Sequence, residues 1–241
     1  MKRLAFFLAL SLFLIMAALP FRLKAFAEYG HSHAAGEREY YFACLDRLNS
    51  LRKSAGDQDD IHRSMLEVAR ALAVLKQHRA ADQMYRDVWQ ARSSAKSSYD
   101  EIFIGSVMGL AALRRDTGNI AGSISCYSVA FDYDKRHLSS TDIRLTRDKT
   151  NLAIANLLAA KEIEREDQRM PYLRKAAGLL GEAIAEERSR KPEGSWREAN
   201  ARQDLAYVLK SLNDKRGYEL EMKAARAMQC KVASKRVCFE P

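Results

Sequence analysis

Residues 109–131 read GLAALRRDTGNIAGSISCYSVAF, and the spacing inside this stretch decides the fold. Leu110, Ala111 and Leu113 share one side of a helix, and Ser123, Tyr127 and Ala130-Phe131 share one side of a second. Between them lies Thr117-Gly118-Asn119, whose Gly can take the left-handed conformation that ends a helix. The stretch predicts two amphipathic helices joined by a tight turn.

The same pattern recurs along the chain. An apolar residue followed by Ala stands at Val68-Ala69, Leu110-Ala111, Leu152-Ala153 and Leu205-Ala206, at steps of 42, 42 and 53 residues. A second series, Ala81/Tyr85, Ser123/Tyr127, Ala176/Leu180 and Tyr218/Met222, steps by 42, 53 and 42. The extra eleven residues enter the two series one repeat apart, so they lie inside the third unit, between its two patterns. A fixed period of this length predicts stacked helix pairs. One pair cannot bury both of its apolar faces. Ala69, Ala111, Ala153 and Ala206 let neighbouring helices approach, and Tyr85 and Tyr127 fill the space to the next unit.

Local signals agree with this phase. Ahead of the array, Tyr41, Cys44, Leu45, Leu48 and Leu51 make one helical face over 37–54. Met65, Val68, Ala69, Leu72 and Leu75, then Ala81, Met84, Tyr85, Val88 and Trp89, make the faces of the first pair. Ser98-x-x-Glu101 and Ser195-x-x-Glu198 have capping-box spacing where a first helix is due. Pro171 fits the first turn of a second helix, and Pro192-Glu193-Gly194 breaks the chain before the fourth unit. No strand-like alternation of useful length occurs, so the chain is expected to be all-α.

Taken together, Gly109-Leu110-Ala111, Gly118, Ser123, Tyr127 and Ala130-Phe131 resemble the tetratricopeptide repeat motif. Residues 81–86, then Ala183-Ile184 and Ala225, continue the likeness in the other units. The 42-residue step resembles the longer repeats of kinesin light chains. Lys76 and Asn213 stand where two of the turn glycines are missing. The resemblance covers roughly 57–233 and implies a right-handed solenoid of about four antiparallel helix pairs, with first helices lining a concave face. Residues 28–56 then form a flexible segment and capping helix, and 234–241 a tail.

The resemblance also implies a binding surface. Positions around each apolar-Ala pair face the groove, here Arg63, Arg70, Arg147, Asn151, Asn200, Gln203, Asp204 and Tyr207. Asn151 can bond both the amide and the carbonyl of an extended peptide. Arg70 and Arg147 can hold an acidic group. The family's carboxylate clamp needs a full set of Lys and Asn that this chain lacks. The expectation is a non-enzymatic scaffold that binds a protein or peptide. The alternative is a membrane-anchored structural or regulatory subunit of an envelope complex.

Catalytic signals are poor. His62, His78 and His137 lie far apart, and Glu162, Glu164, Glu166 and Asp167 beside Lys161, Arg165 and Arg169 read as a solvated helix end. A hydrolase built on 160–170 is a distant reading. No phosphate loop, dinucleotide fingerprint or CxxC occurs, so no cofactor or metal site is expected. His31 and His33 are spaced as possible metal ligands, but they fall in the end expected to be flexible, and no metal site is expected there.

The formal charge of +9 divides unevenly. Lys2, Arg3, Arg22 and Lys24 flank an apolar run, Leu4 to Leu19, and removing these four from 40 basic residues leaves 36 against 31 acidic ones, or +5. The rest is a mixed-charge surface, and nucleic acid is not an expected partner. The basic start, apolar run, Pro20 and Ala25-Phe26-Ala27 have the layout of a secretory signal over 1–27. Residues 4–21 are also nearly long enough to span a bilayer, so a retained anchor stays open. Either reading exports the remainder. Cys230 and Cys238 are a candidate disulfide in an exported chain, whereas Cys126, beside Tyr127, reads as a buried apolar residue.

Overall fold

A computed structural model describes residues 35–93 and 98–237. Residues 1–27, expected to be a signal or anchor, with His31, His33 and Cys238, lie outside these described residues. Among them every regular element is a helix: α1 (35–53), α2 (Gln58–Val74), α3 (His78–Arg92), α4 (Glu101–Asp116), α5 (Ile120–His137), α6 (Ile143–Glu162), α7 (Glu166–Arg190), α8 (Trp196–Ser211) and α9 (Lys215–Val237). They fall into two compact units, Met1–Ala81 and Asp82–Pro241.

In the first unit Cys44 and Leu48 of α1 are buried, as are Val68, Ala69 and Leu72 of α2. Arg47 of α1 reaches Glu67 of α2 at 3.5 Å. In the second unit consecutive helices pack on one another: α4 on α5, α5 on α6, α6 on α7, α7 on α8 and α8 on α9, with α6 also touching α8. The expected all-α stack of helix pairs is therefore what forms. All four small residues of the first series, Ala69, Ala111, Ala153 and Ala206, are completely buried. Gly109 shows why size matters here: a Cβ on it would stand 2.3 Å from Cε1 of Tyr85, whose ring lies against the α4 backbone.

Turn chemistry follows the repeat phase. Gly118 takes φ +82°, and Lys76 and Asn213, in the places that lack Gly, take φ 62° and 64°. The turn needs that backbone geometry whichever residue supplies it, and an L side chain there costs about 1 kcal/mol.

The eleven extra residues go into helix, not loop. The turns 117–119 and 163–165 both have three residues. Past its Leu-Ala pair, α6 runs four residues further than α4, and α7 begins seven residues further ahead of Ala176 than α5 does ahead of Ser123. At 1.5 Å per residue the third hairpin gains roughly 6 Å on one helix and roughly 10 Å on the other. On the added turns Ala159 and Ala160 are buried, and Met170 packs against the cluster that includes Leu157 and Leu173.

Two local expectations need correction. Pro171 is not in the first turn; it is the sixth residue of α7, because the inserted residues extend the helix ahead of it. Its missing N–H leaves the Asp167 carbonyl without its helical donor, and both residues are exposed to water. The cap of α4 is not Ser98 but Asp100, whose carboxylate accepts from the amides of Ile102 and Phe103 at 3.0 and 3.1 Å. A carboxylate one residue before the helix satisfies two amides and meets the positive end of the helix dipole. Ser195 does cap α8, accepting from the Glu198 amide at 3.0 Å. Glu198 turns its carboxylate to Arg202, at 2.8 Å.

Candidate functional site

The first helices of the second unit carry the predicted surface. Arg147 and Asn151 are one turn apart on α6, and Asn200, Gln203, Asp204 and Tyr207 follow at three- and four-residue steps along α8. The two helices that carry them, α6 and α8, touch. Arg147, Asn200 and Tyr207 are exposed, and Asn151, Gln203 and Asp204 are half-buried. Arg63 and Arg70 are exposed on α2, in the other compact unit, and Arg63 pairs with Asp60 at 3.0 Å. The polar face does not continue onto α4, where the repeat phase places Gly105 and Gly109 opposite Arg147 and Asn151.

Arg147 is already committed within the chain. Its Nε and Nη2 donate to Oδ1 of Asp148 at 3.0 and 2.9 Å, and Nη2 lies 3.5 Å from Oδ2 of Asp134. Both aspartates are completely buried between α5 and α6. Burial, then the adjoining Asp134 carboxylate, which favours a proton on Asp148, pushes the Asp148 pKa up to about 7, against the pull of Arg147. Tyr99 completes this cluster: burial, then the negative charge of Asp134, raises its pKa, and Arg144 sits 4.6 Å over its ring. Sequence reading missed the aspartate pair. The available signal was Asp148 one turn before Leu152 and Asp134 one turn after Ala130, both on faces meant to be apolar.

Asn151, Asn200, Asp204 and Tyr207 form no side-chain hydrogen bond or ion pair with a described residue. Gln203 accepts a hydrogen bond of 3.4 Å from Gln229 of α9. Burial alone pushes the Asp204 carboxyl up to about 6, with no charged neighbour contributing. A half-desolvated carboxyl without a counter-ion, among amides and a tyrosine, can take a donor from outside the chain.

The helices behind this face are pinned by polar bonds. Lys149 of α6 reaches Glu182 and Glu186 of α7 at 2.7 and 2.5 Å. Burial opposes its charge, but the two glutamates prevail and raise its pKa. Thr146 donates to Glu186 and bonds Arg190. Glu187, nearly inaccessible, accepts from Ser195 at 2.8 Å and ties α7 to the cap of α8. The geometry is a fixed polar wall. Among the described residues no group of His, Cys, Asp and Glu could hold a metal ion, and no helix is long and apolar enough to cross a membrane.

No family model and no curated protein matches the chain. Solved structures do. A variant form of a Podosopora anserina protein described as a kinesin light chain with nearly identical TPR-like repeats superposes with a TM-score of 0.64 at 15% identity, over 85% of this chain and 96% of that one. Another crystal structure under the same description gives 0.62 at 15% identity, over 84% and 95%. The fold is that of tetratricopeptide-like repeats. BtubC (BKLC) from P. vanneervenii also carries it, with a TM-score of 0.55 at 13% identity over 85% of this chain and 94% of that one. In tetratricopeptide-like terms α4, α6 and α8 are first helices and α5, α7 and α9 second helices. The resemblance read from the 42-residue step thus agrees with the structures that share the fold.

Proposed function

We propose that the chain is a non-enzymatic scaffold that docks an extended segment of a protein partner along the polar faces of α6 and α8. The observation that carries this reading is the set Asn151, Asn200, Asp204 and Tyr207, polar side chains on two touching helices with no partner among the described residues. Side-chain amides can donate to and accept from a peptide backbone, which gives affinity without strong selection of sequence. Concave repeat surfaces are suited to such ligands. Arg147 is a poor probe of the site, since removing it strips the donors from two buried carboxyls.

The test compares wild type with Asn151→Ala/Asn200→Ala/Tyr207→Ala in affinity capture from the native cell envelope, with circular dichroism of both. Loss of specific captured proteins by a variant of unchanged helicity supports the wall. An identical captured set removes it. The reading includes export, supported by the layout of 1–27. The mass of the mature N-terminus decides between cleavage after Ala27 and a retained anchor over 4–21. The same preparation, alkylated without reductant, shows whether Cys230 and Cys238 are joined.

A further inference from the structure

A cleft of about 410 Å³ is lined by Arg86, Trp89, Gln90 and Ser93 of the α3 end and by Arg114. The four residues from Arg86 to Ser93 repeat at helical spacing on one face. Arg114 leaves α4 toward the second helix of its own pair, where Nη1 donates to Sγ of Cys126 at 3.2 Å and lies 3.5 Å from the Gly122 carbonyl. None of the groove candidates lines this cleft.

Its charge is not balanced. Asp82 lies between the two arginines, 2.6 Å from Nε of Arg86 and 3.8 Å from Nε of Arg114. The second distance is beyond a hydrogen bond, and the buried Nε of Arg114 has no hydrogen-bond partner among the described residues. Two guanidiniums thus share one carboxylate, leaving a surplus of one positive charge. Arg86 remains about half exposed. The indole of Trp89 supplies an apolar wall, and the Gln90 amide and Ser93 hydroxyl supply neutral polar groups. The volume suits one or two side chains.

We propose that this cleft is a second docking site, which takes an aspartate or glutamate side chain of a protein partner. A single carboxylate matches the surplus of one charge and the fork of a guanidinium. A doubly charged phosphate would meet Asp82 as well as the arginines.

Trp89 reports on its own cleft once the other of the two tryptophans is removed. In Trp196→Phe protein, acetyl-Ala-Glu-Ala-amide is expected to change Trp89 emission saturably, and acetyl-Ala-Gln-Ala-amide to bind at least about tenfold more weakly. Adding Arg86→Gln, an exposed change that leaves the Arg114 contacts intact, is expected to weaken the Glu probe by about tenfold and leave the Gln probe unaffected. Equal response to both probes, a Glu response indifferent to Arg86→Gln, or no saturation by about 20 mM overturns the proposal. The triple variant at Asn151, Asn200 and Tyr207 is expected to bind the Glu probe normally, so the two sites fail separately.

Discussion

Asp148 of α6 and Asp134 of α5 are completely buried carboxyls that share one guanidinium, with Nη2 of Arg147 at 2.9 Å from Asp148 and 3.5 Å from Asp134. Two carboxylates cannot share such a place fully ionised, so one proton stays with the pair. The folded-state pKa of Asp148, about 7, lies above its unfolded value of 3.8. The folded chain then binds more protons than the unfolded chain between these values. Stability falls as pH rises from about 4 to about 7, and changes little from this source above that. Urea unfolding is expected to give a lower midpoint at pH 8 than at pH 5. Asp148→Asn, which keeps an N–H donor toward Asp134, is expected to raise stability at pH 8 by at least about 1 kcal/mol and flatten the profile. A wild-type midpoint independent of pH would contradict the shared proton.

The left-handed turns predict a gain on replacement. Lys76→Gly relieves φ 62° and is expected to stabilise by about 0.5–1 kcal/mol, since the relief exceeds the extra chain entropy of Gly. Asn213→Gly gains less, because Asn tolerates this region. Gly118→Ala moves the other way, at φ +82°. Thermal unfolding of the three variants checks the order.

Glycines within the helices split by environment. A Cβ at Gly178 or Gly181 of α7 meets nothing within 4 Å, so each change to Ala is expected to stabilise by about 0.8–1 kcal/mol. Gly109→Ala drives a methyl into the Tyr85 ring and is expected to cost about 1–3 kcal/mol. Gly109→Ala with Tyr85→Phe tests the contact least, since the ring remains; Tyr85→Leu with Gly109→Ala is expected to recover part of the loss. Chemical denaturation measures all of these.

Asp100 has two duties. It caps α4, and it receives Nε of the nearly buried Arg92 at 2.8 Å. Burial works against its charge, but Arg92 and the amides of Phe103 and Ile102 outweigh this and lower its pKa. Asp100→Asn keeps the cap acceptor and loses the charge pairing; Asp100→Ala loses both. The expected order of stability is wild type, Asn, Ala, with Ala down by about 2–4 kcal/mol. Because the folded pKa is depressed, the Asp100 contribution is present above the unfolded value near 3.8 and disappears as pH falls below it. An Ala variant as stable as Asn would show the cap to be idle.

The repeat phase, the helix pairs, the buried alanines and the turn positions all follow from sequence alone. They depend on residue type at fixed spacing, and helical geometry converts spacing directly into a buried face. The sequence also locates the eleven-residue insertion within the third unit. Tertiary structure decided that the insertion lengthens two helices and leaves the turn unchanged, because Ala160 and Met170, on the added turns, join one cluster with Leu157 and Leu173 only once the hairpin closes. It also decided the polar contacts. Arg147 reads as a groove residue by its place on α6, yet Asp134 from the preceding helix draws its guanidinium inward. Charge pairing across helices depends on distances that no periodicity encodes, so the wall of α6 and α8 was legible in outline while the free and the committed members of that wall were not.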